Sequence, residues 1–278
     1  MTAHTVPIIG YHHAALSQKF GAPRQPNLVS LSSMIEMVAP YDTPAACAGL
    51  EDFSHIWITW QCHHNEIKKV NHTQAKVIKE QTKTPFRAQV RPPRLGGNQK
   101  IGVFASRSMY RPSALGLSVV KLDRVEIVAG RVLLMISGAD MIAGTPIIDI
   151  KPYIAYSDTI VGAESSYAAD TPSLLAVTIS ENATAQFMQI VEEQHLANAP
   201  HNPQVSIAAC VHQMTQQLIV EDMDHISALI AQDPRPAYRF DEVKVTFTMR
   251  YKSVDVSFWQ LETGQLQITS IKVINPPN

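Results

Sequence analysis

Apolar positions in the first 155 residues fall in short runs and alternations, not at helical spacing. Residues 6–13, 29–38, 55–64, 101–105, 117–128, 132–137 and 147–150 have the length and the β-branched or aromatic content of strands. The segment Asp42 to Leu50 alone reads as an Ala-rich helical turn, with Asp42 or Thr43 available to cap it. Ala129-Gly130, between two β-rich runs, supplies the glycine that a tight hairpin turn wants. So many short strands with so little helix predict an antiparallel barrel or sandwich. No Gly-x-Gly-x-x-Gly follows a first strand, so a nucleotide-type ligand, if there is one, is held by other means.

The pattern changes after residue 157. A Ser/Ala/Asp/Pro linker spans 157–172, followed by a strand at 174–179 and a helix capped by Asn182 and running to about Ala197. Pro203 is placed to open a second helix over 204–220, and a third short one ends at Ala231. Strands near 243–250, 254–261 and 266–274 close the chain, with Thr263-Gly264 as a turn. The prediction is therefore a mainly β N-terminal barrel, non-Rossmann, over 1–157, and a small α+β C-terminal domain over 173–278. With 278 residues and 45% hydrophobic content, the chain has material for both cores.

Charge adds little, since a net −1 gives no global field that draws nucleic acid and leaves local patches open. Cys47, Cys62 and Cys210 are odd in number and lack metal or redox spacing, which fits reduced thiols in a cytoplasm. No apolar run reaches the roughly 18 residues that a membrane span needs, so no membrane partner is expected.

Polar chemistry gathers in loops beside the predicted strands. Arg91-Pro92-Pro93-Arg94 is stiffened by its prolines and ends at Gly96-Gly97, and the run 101–105 delivers Arg107, Ser108 and Arg111. Arg24 and Gln25 sit between Pro23 and Pro26 in a pre-ordered loop, and 138–146 forms a second special loop. On spacing alone, proline-rich surface loops with solvated arginines read the same way. His63 and His64 end a strand on opposite faces, so they cannot chelate one ion as a pair, and no metal is expected. Lys68, Lys69 and Lys76 lie in a polar connection, 65–90, that reads either as an exposed loop or as a basic lid for phosphates.

Taken together, Pro23-Arg24-Gln25-Pro26, Arg91 to Asn98, Gly102-Val103-Phe104-Ala105 to Arg111-Pro112, Gly116-Leu117-Ser118, Gly144-Thr145-Pro146 to Tyr153, and Asp233-Pro234-Arg235-Pro236-Ala237-Tyr238 resemble the TsaA-like (TrmO, YaeB) methyltransferases. Ser113-Ala114, where that family usually shows Asn-Pro, and Ala143 before Gly-Thr-Pro depart from its pattern. The resemblance implies a β-barrel methyltransferase that uses S-adenosyl-L-methionine, forms a homodimer and acts on tRNA. The implied reaction methylates the exocyclic nitrogen of threonylcarbamoyladenosine, next to the anticodon of a threonine tRNA. On that basis Pro23, Arg24, Gln25, His63, His64, Arg94, Asp140, Ile142, Gly144 and Thr145 are expected to hold the cofactor. Arg107 and Arg111 are expected to pair with a carboxylate, and Lys68 and Lys69 to meet tRNA phosphates. Asp233 as a base, Arg235 for phosphate or carboxylate, and Tyr238 to stack or hydrogen-bond are expected at the target base. The competing readings are a cofactor-binding barrel without catalysis and one acting on a substrate other than tRNA.

Overall fold

The computed structural model describes residues 4–63, 86–197 and 206–274. Among the described residues, eight strands precede residue 153: β1 (Gly10–His13), β2 (Ser32–Met37), β3 (His55–Gln61), β4 (Gln89–Val90), β5 (Ile101–Gly102), β6 (Leu115–Val128), β7 (Arg131–Ser137) and β8 (Pro146–Pro152). Six of them close an antiparallel barrel in the order β1-β2-β7-β6-β3-β8. Alternation fixes its interior, because successive side chains on a strand face opposite ways. Ile56 and Ile58 of β3, Val120 and Leu122 of β6, and Val132, Leu134 and Ile136 of β7 point inward into one apolar core. At the β6–β7 turn Ala129 and Gly130 both take positive φ, as the expected two-residue hairpin requires.

Two helices pack the second unit, α3 (Glu181–Ala197) and α5 (Asp222–Ala231); α4 (Ile207–Thr215) is also long, whereas α1 (Pro44–Cys47) and α2 (Ala155–Asp158) are single turns. Strand β9 (Val177–Ile179), with β10 (Phe247–Tyr251), β11 (Val254–Gln260) and β12 (Leu266–Val273), makes a sheet in the order β10-β11-β12-β9, with β9 parallel to β12. Phe187 and Ile190 of α3 and Ile226, Leu229 and Ile230 of α5 cover one face of it. Helix α4 instead lies on the barrel, where Ile207, Cys210, Val211 and Met214 meet Met34, Val128 and Leu133. Strand β7 is thus buried on both faces, which explains its unbroken apolar sequence.

The connection between β1 and β2 belongs to both units. Ala15, Leu16, Val29 and Leu31 are buried in the core of the second sheet, and Phe20 stacks on Phe247 and Phe258 at 6.5 and 6.3 Å. Gly21, at φ +93°, sits where a Cβ would fall 2.2 Å from Met249 Sδ, so a larger residue would be strained and would have to displace the buried Met249 side chain. The C-terminal unit thereby fixes the loop that carries Arg24 and Gln25.

Several sequence expectations need correction. The apolar run 101–105 is not a barrel strand: β5 stops at Gly102, pairs only with β4 in a two-stranded ribbon, and gives way to a 3-10 turn at Val103–Ala105. Phe104 is 68% exposed there. Asp42 pairs with Arg131 at 2.9 Å instead of capping α1, and Thr43 makes no side-chain cap bond. Ser180, not Asn182, accepts the Ala183 N–H at the start of α3. Helix α4 is capped by Ser206 and ends at Thr215, because the buried Leu218 turns away to donate its N–H to Gln194 Oε1 at 2.7 Å. Pro203, His64, Lys68, Lys69 and the rest of 64–85 lie outside the described residues.

Asp222 ties the second unit together. Its carboxylate accepts from Tyr251 Oη at 2.6 Å, Lys252 Nζ at 2.8 Å and the Ile219 N–H at 2.9 Å. Burial pushes this carboxyl up, but hydrogen bonds and charge from His225, Lys252 and Tyr251 outweigh it and hold the carboxyl below its ordinary range. A depressed carboxyl contributes stability above its unfolded pKa and loses it as pH falls toward the lower folded value. Asp222→Ala leaves the buried Tyr251 phenol without its acceptor and the Lys252 ammonium with the Gln217 carbonyl but no carboxylate, so a loss of about 3 kcal/mol in urea unfolding is expected at pH 7, shrinking in acid. An unchanged midpoint would show that the cluster carries no stability.

Candidate functional site

One end of β3 builds the rim of the site. In the alternation of β3, Trp60 follows Ile56 and Ile58 inward, so its indole N–H must find a partner inside. It donates to Ser118 Oγ at 3.0 Å, and Ser118 in turn donates to Asp140 Oδ1 at 2.6 Å. Gly116 faces Trp60 across the β3–β6 pair, and a Cβ there would lie 2.2 Å from the indole ring. The chain Trp60–Ser118–Asp140 therefore locks the carboxylate to the barrel wall. Burial pushes the Asp140 carboxyl up, while the bond from Ser118 and the charge of Arg107 pull it down, and burial prevails.

Around Asp140 the loops converge. Arg107 donates to Gln25 Oε1 at 2.5 Å, which joins the loop after β5 to the loop after β1. Cys62 lies at the same place: burial raises its thiol, Lys19 lowers it and Asp140 raises it. Lys19 Nζ approaches Met109 Sδ at 3.6 Å. The Cys62 N–H donates to the carbonyl of Ala114, which takes φ +52°. Gly144, at φ +80°, leaves open the space that a Cβ would fill, with His63 Nε2 3.8 Å from that position.

The loop 139–145 is held from beneath. His12 is fully buried, and burial pushes its pKa down to about 4, so the ring is neutral and its Nδ1–H donates to Ile142 O at 3.2 Å. Thr145 Oγ1 donates to the same carbonyl at 2.8 Å, and the Gly144 N–H bonds His12 O at 2.7 Å. Thr145 is 1% exposed, so its hydroxyl and the Ile142 carbonyl shape this loop from inside and do not line the rim.

The remaining expected residues divide. Pro23 is buried and Arg24 reaches the C-terminal unit, donating to Asp233 O at 3.3 Å and Arg235 O at 3.1 Å. Arg94 donates to Asp170 O on the inter-unit segment. Arg111 donates to Ser106 O at 3.2 Å within its own loop. Arg235 is 1% exposed, with Nε and Nη2 on the Asp233 carboxylate at 2.7 and 2.9 Å and Nη1 on Gln260 at 3.0 Å. It is a buried ion-pair partner and not a phosphate contact. Asp233 is committed to it and is no free base in this arrangement, whereas Tyr238 is 86% exposed. Trp60, Cys62, Ser118, Lys19 and Met109 received no role from the sequence; the register of β3 against β6 is the signal that could have found Trp60 and Ser118.

Two family models cover most of the chain: the tRNA-methyltransferase O N-terminal domain matches residues 11–159, and the TrmO C-terminal domain matches 202–274. The chain belongs to the TrmO family. A protein of Escherichia coli K12 named tRNA (adenine(37)-N6)-methyltransferase is 35% identical over 84% of this chain and 83% of its own. A Pseudomonas aeruginosa protein named putative S-adenosylmethionine-dependent methyltransferase RcsF is 36% identical over 91% of each. A crystal structure of TrmO from Pseudomonas aeruginosa superposes with a TM-score of 0.67 at 26% identity, over 98% of this chain and 99% of that one. The closed barrel with an α+β C-terminal part is thus the TrmO architecture, and the rim cluster stands at the C-terminal end of β3 within it.

Proposed function

We propose that this protein transfers a methyl group from S-adenosyl-L-methionine to the exocyclic nitrogen of adenosine 37, beside the anticodon of a tRNA. The observation that carries the reading is the convergence of Gln25, Arg107, Asp140 and Gly144 on one rim in a TrmO chain. These residues fit the cofactor. Asp140 offers a carboxylate to a cationic amino-acid end, Gln25 offers amide donors and an acceptor, and Gly144 leaves room for a close approach to backbone. Bound there, the cofactor supplies an electrophilic methyl whose leaving group is a neutral thioether, so no general acid is needed.

The chain's own contribution is then positioning. Trp60 and Ser118 keep Asp140 at one place, and Arg24 and Phe20 keep Gln25 against Arg107. Arg107 and Arg111, at the two ends of one short loop, are suited to the carboxylate of a threonylcarbamoyl group. That chemistry selects threonylcarbamoyladenosine as the modified base, and a threonine tRNA as its carrier is the same proposal. The exposed ring of Tyr238 is available to stack on an unpaired base. We also assign a homodimer and a cytoplasmic setting. Ile154, Tyr156, Ile160 and Val161, exposed by 37, 91, 75 and 95% on one short stretch, offer an apolar face to a second copy.

Transfer of radiolabelled methyl from the cofactor to total tRNA, with and without the threonylcarbamoyl modification, tests the reading. Label confined to modified tRNA is expected. Label in neither pool, with cofactor binding retained in calorimetry, would leave a barrel that binds the cofactor and acts elsewhere.

A further inference from the structure

Between barrel strands β3 and β6 the chain makes an arm, 86–111, that stands outside the barrel wall. It carries Arg87, Arg91, Arg94, Lys100, Arg107 and Arg111 and no Asp or Glu, in a chain whose net charge is −1. It also displays rings that a core would hide. Phe86 is 59% exposed and Phe104 68%, with their centroids 6.2 Å apart. The Arg87 guanidinium lies 4.4 Å over the Tyr110 ring, and Arg111 lies 6.0 Å from Phe104.

We infer that this arm is a docking surface for the single-stranded RNA that flanks the target nucleotide, an inference that rests on the tRNA reading above. Bases offer π faces to exposed rings and phosphates offer charge to guanidiniums, so alternating Phe and Arg suit an unpaired RNA strand. A protein partner would have to desolvate this density of like charge in its interface core, where charged residues are depleted. The arm is also pre-ordered. Gln89 pairs with Gly102 and Val90 with Ile101, and Tyr167 Oη donates to Ala105 O at 3.2 Å, so the rings are presented on a fixed frame. It is continuous with the site as well, because Arg107 at its far end bonds Gln25 beside Asp140.

The test uses the full chain, a fluorescent RNA of the tRNA anticodon arm, and the variants F104A, F104Y and R87A/R91A. Anisotropy across a salt series reads RNA affinity, calorimetry reads cofactor affinity, and light scattering reads assembly. F104A is expected to weaken RNA binding by about tenfold, with cofactor affinity and mass unchanged, and F104Y to restore it. R87A/R91A is expected to reduce the salt slope by about two. Wild-type RNA affinity in F104A overturns the inference while methyl transfer by the native chain keeps the function. A fall in cofactor affinity or a loss of dimer mass, with RNA binding intact, gives the arm to the pocket or to a second copy. A native chain that neither binds RNA nor methylates tRNA removes both readings.

Discussion

Asp233→Ala is expected to destabilise the protein by about 3–5 kcal/mol, the range for removing one partner of a buried ion pair. Arg235, at 1% exposure, would lose the carboxylate that its guanidinium bonds while staying within 5.6 and 5.8 Å of the rings of Phe240 and Phe247. The backbone suffers too, because Asp233 sits at φ +47° and its carbonyl, with that of Arg235, anchors Arg24. Urea unfolding measures the loss. The double variant D233A/R235M should recover much of it, since a fitting apolar side chain removes the stranded charge. Methyl transfer by D233N, followed against pH, separates structure from chemistry. If D233N keeps the native urea midpoint yet loses activity together with the acid limb of its pH profile, Asp233 is a general base and the structural account of it fails.

The motif Asp233-Pro234-Arg235-Pro236 also shows how far sequence reading reaches. Prolines on both sides of an arginine look like a surface loop, and nothing local says that the guanidinium turns inward. Its burial is decided by Gln260, which lies 25 positions away, and by two rings of the sheet. The barrel was legible because strand patterning is local: 55–61 and 115–128 declare their inward faces within a few residues, and 131–137 declares a strand covered on both faces by its unbroken apolar run. Residues 101–105 misled for the same reason. Ile-Gly-Val-Phe-Ala has the apolar density of a strand, but β6 and β8 occupy both edges of β3, and among the described residues the run pairs with Gln89–Val90. At the rim, Gln25, Arg107, Asp140 and Gly144 could be named from motifs. The bonds that seat Asp140 could not, since Trp60 and Ser118 are 58 positions apart and Ser118 and Asp140 are 22.

Asp140→Asn is expected to separate cofactor affinity from stability. The isosteric amide keeps an oxygen for the Ser118 hydroxyl, so the Trp60–Ser118 tie survives. It loses the negative charge that a cationic amino-acid end would pair with, and charge-assisted hydrogen bonds of this kind contribute roughly 1.5–3 kcal/mol. The cofactor dissociation constant, by calorimetry, should therefore rise about ten- to a hundredfold. Stability moves the other way. Burial raises this carboxyl, so above the ordinary aspartate value of 3.8 the unfolded chain ionises first and the native protein loses stability as pH climbs through the raised value. The neutral amide escapes that loss. D140N should melt with the wild type in acid and above it at neutral pH. A lower melting temperature at neutral pH would mean that Arg107 and Ser118 outweigh burial. An unchanged cofactor affinity would remove Asp140 from the binding site and leave it as a brace for the β3 rim.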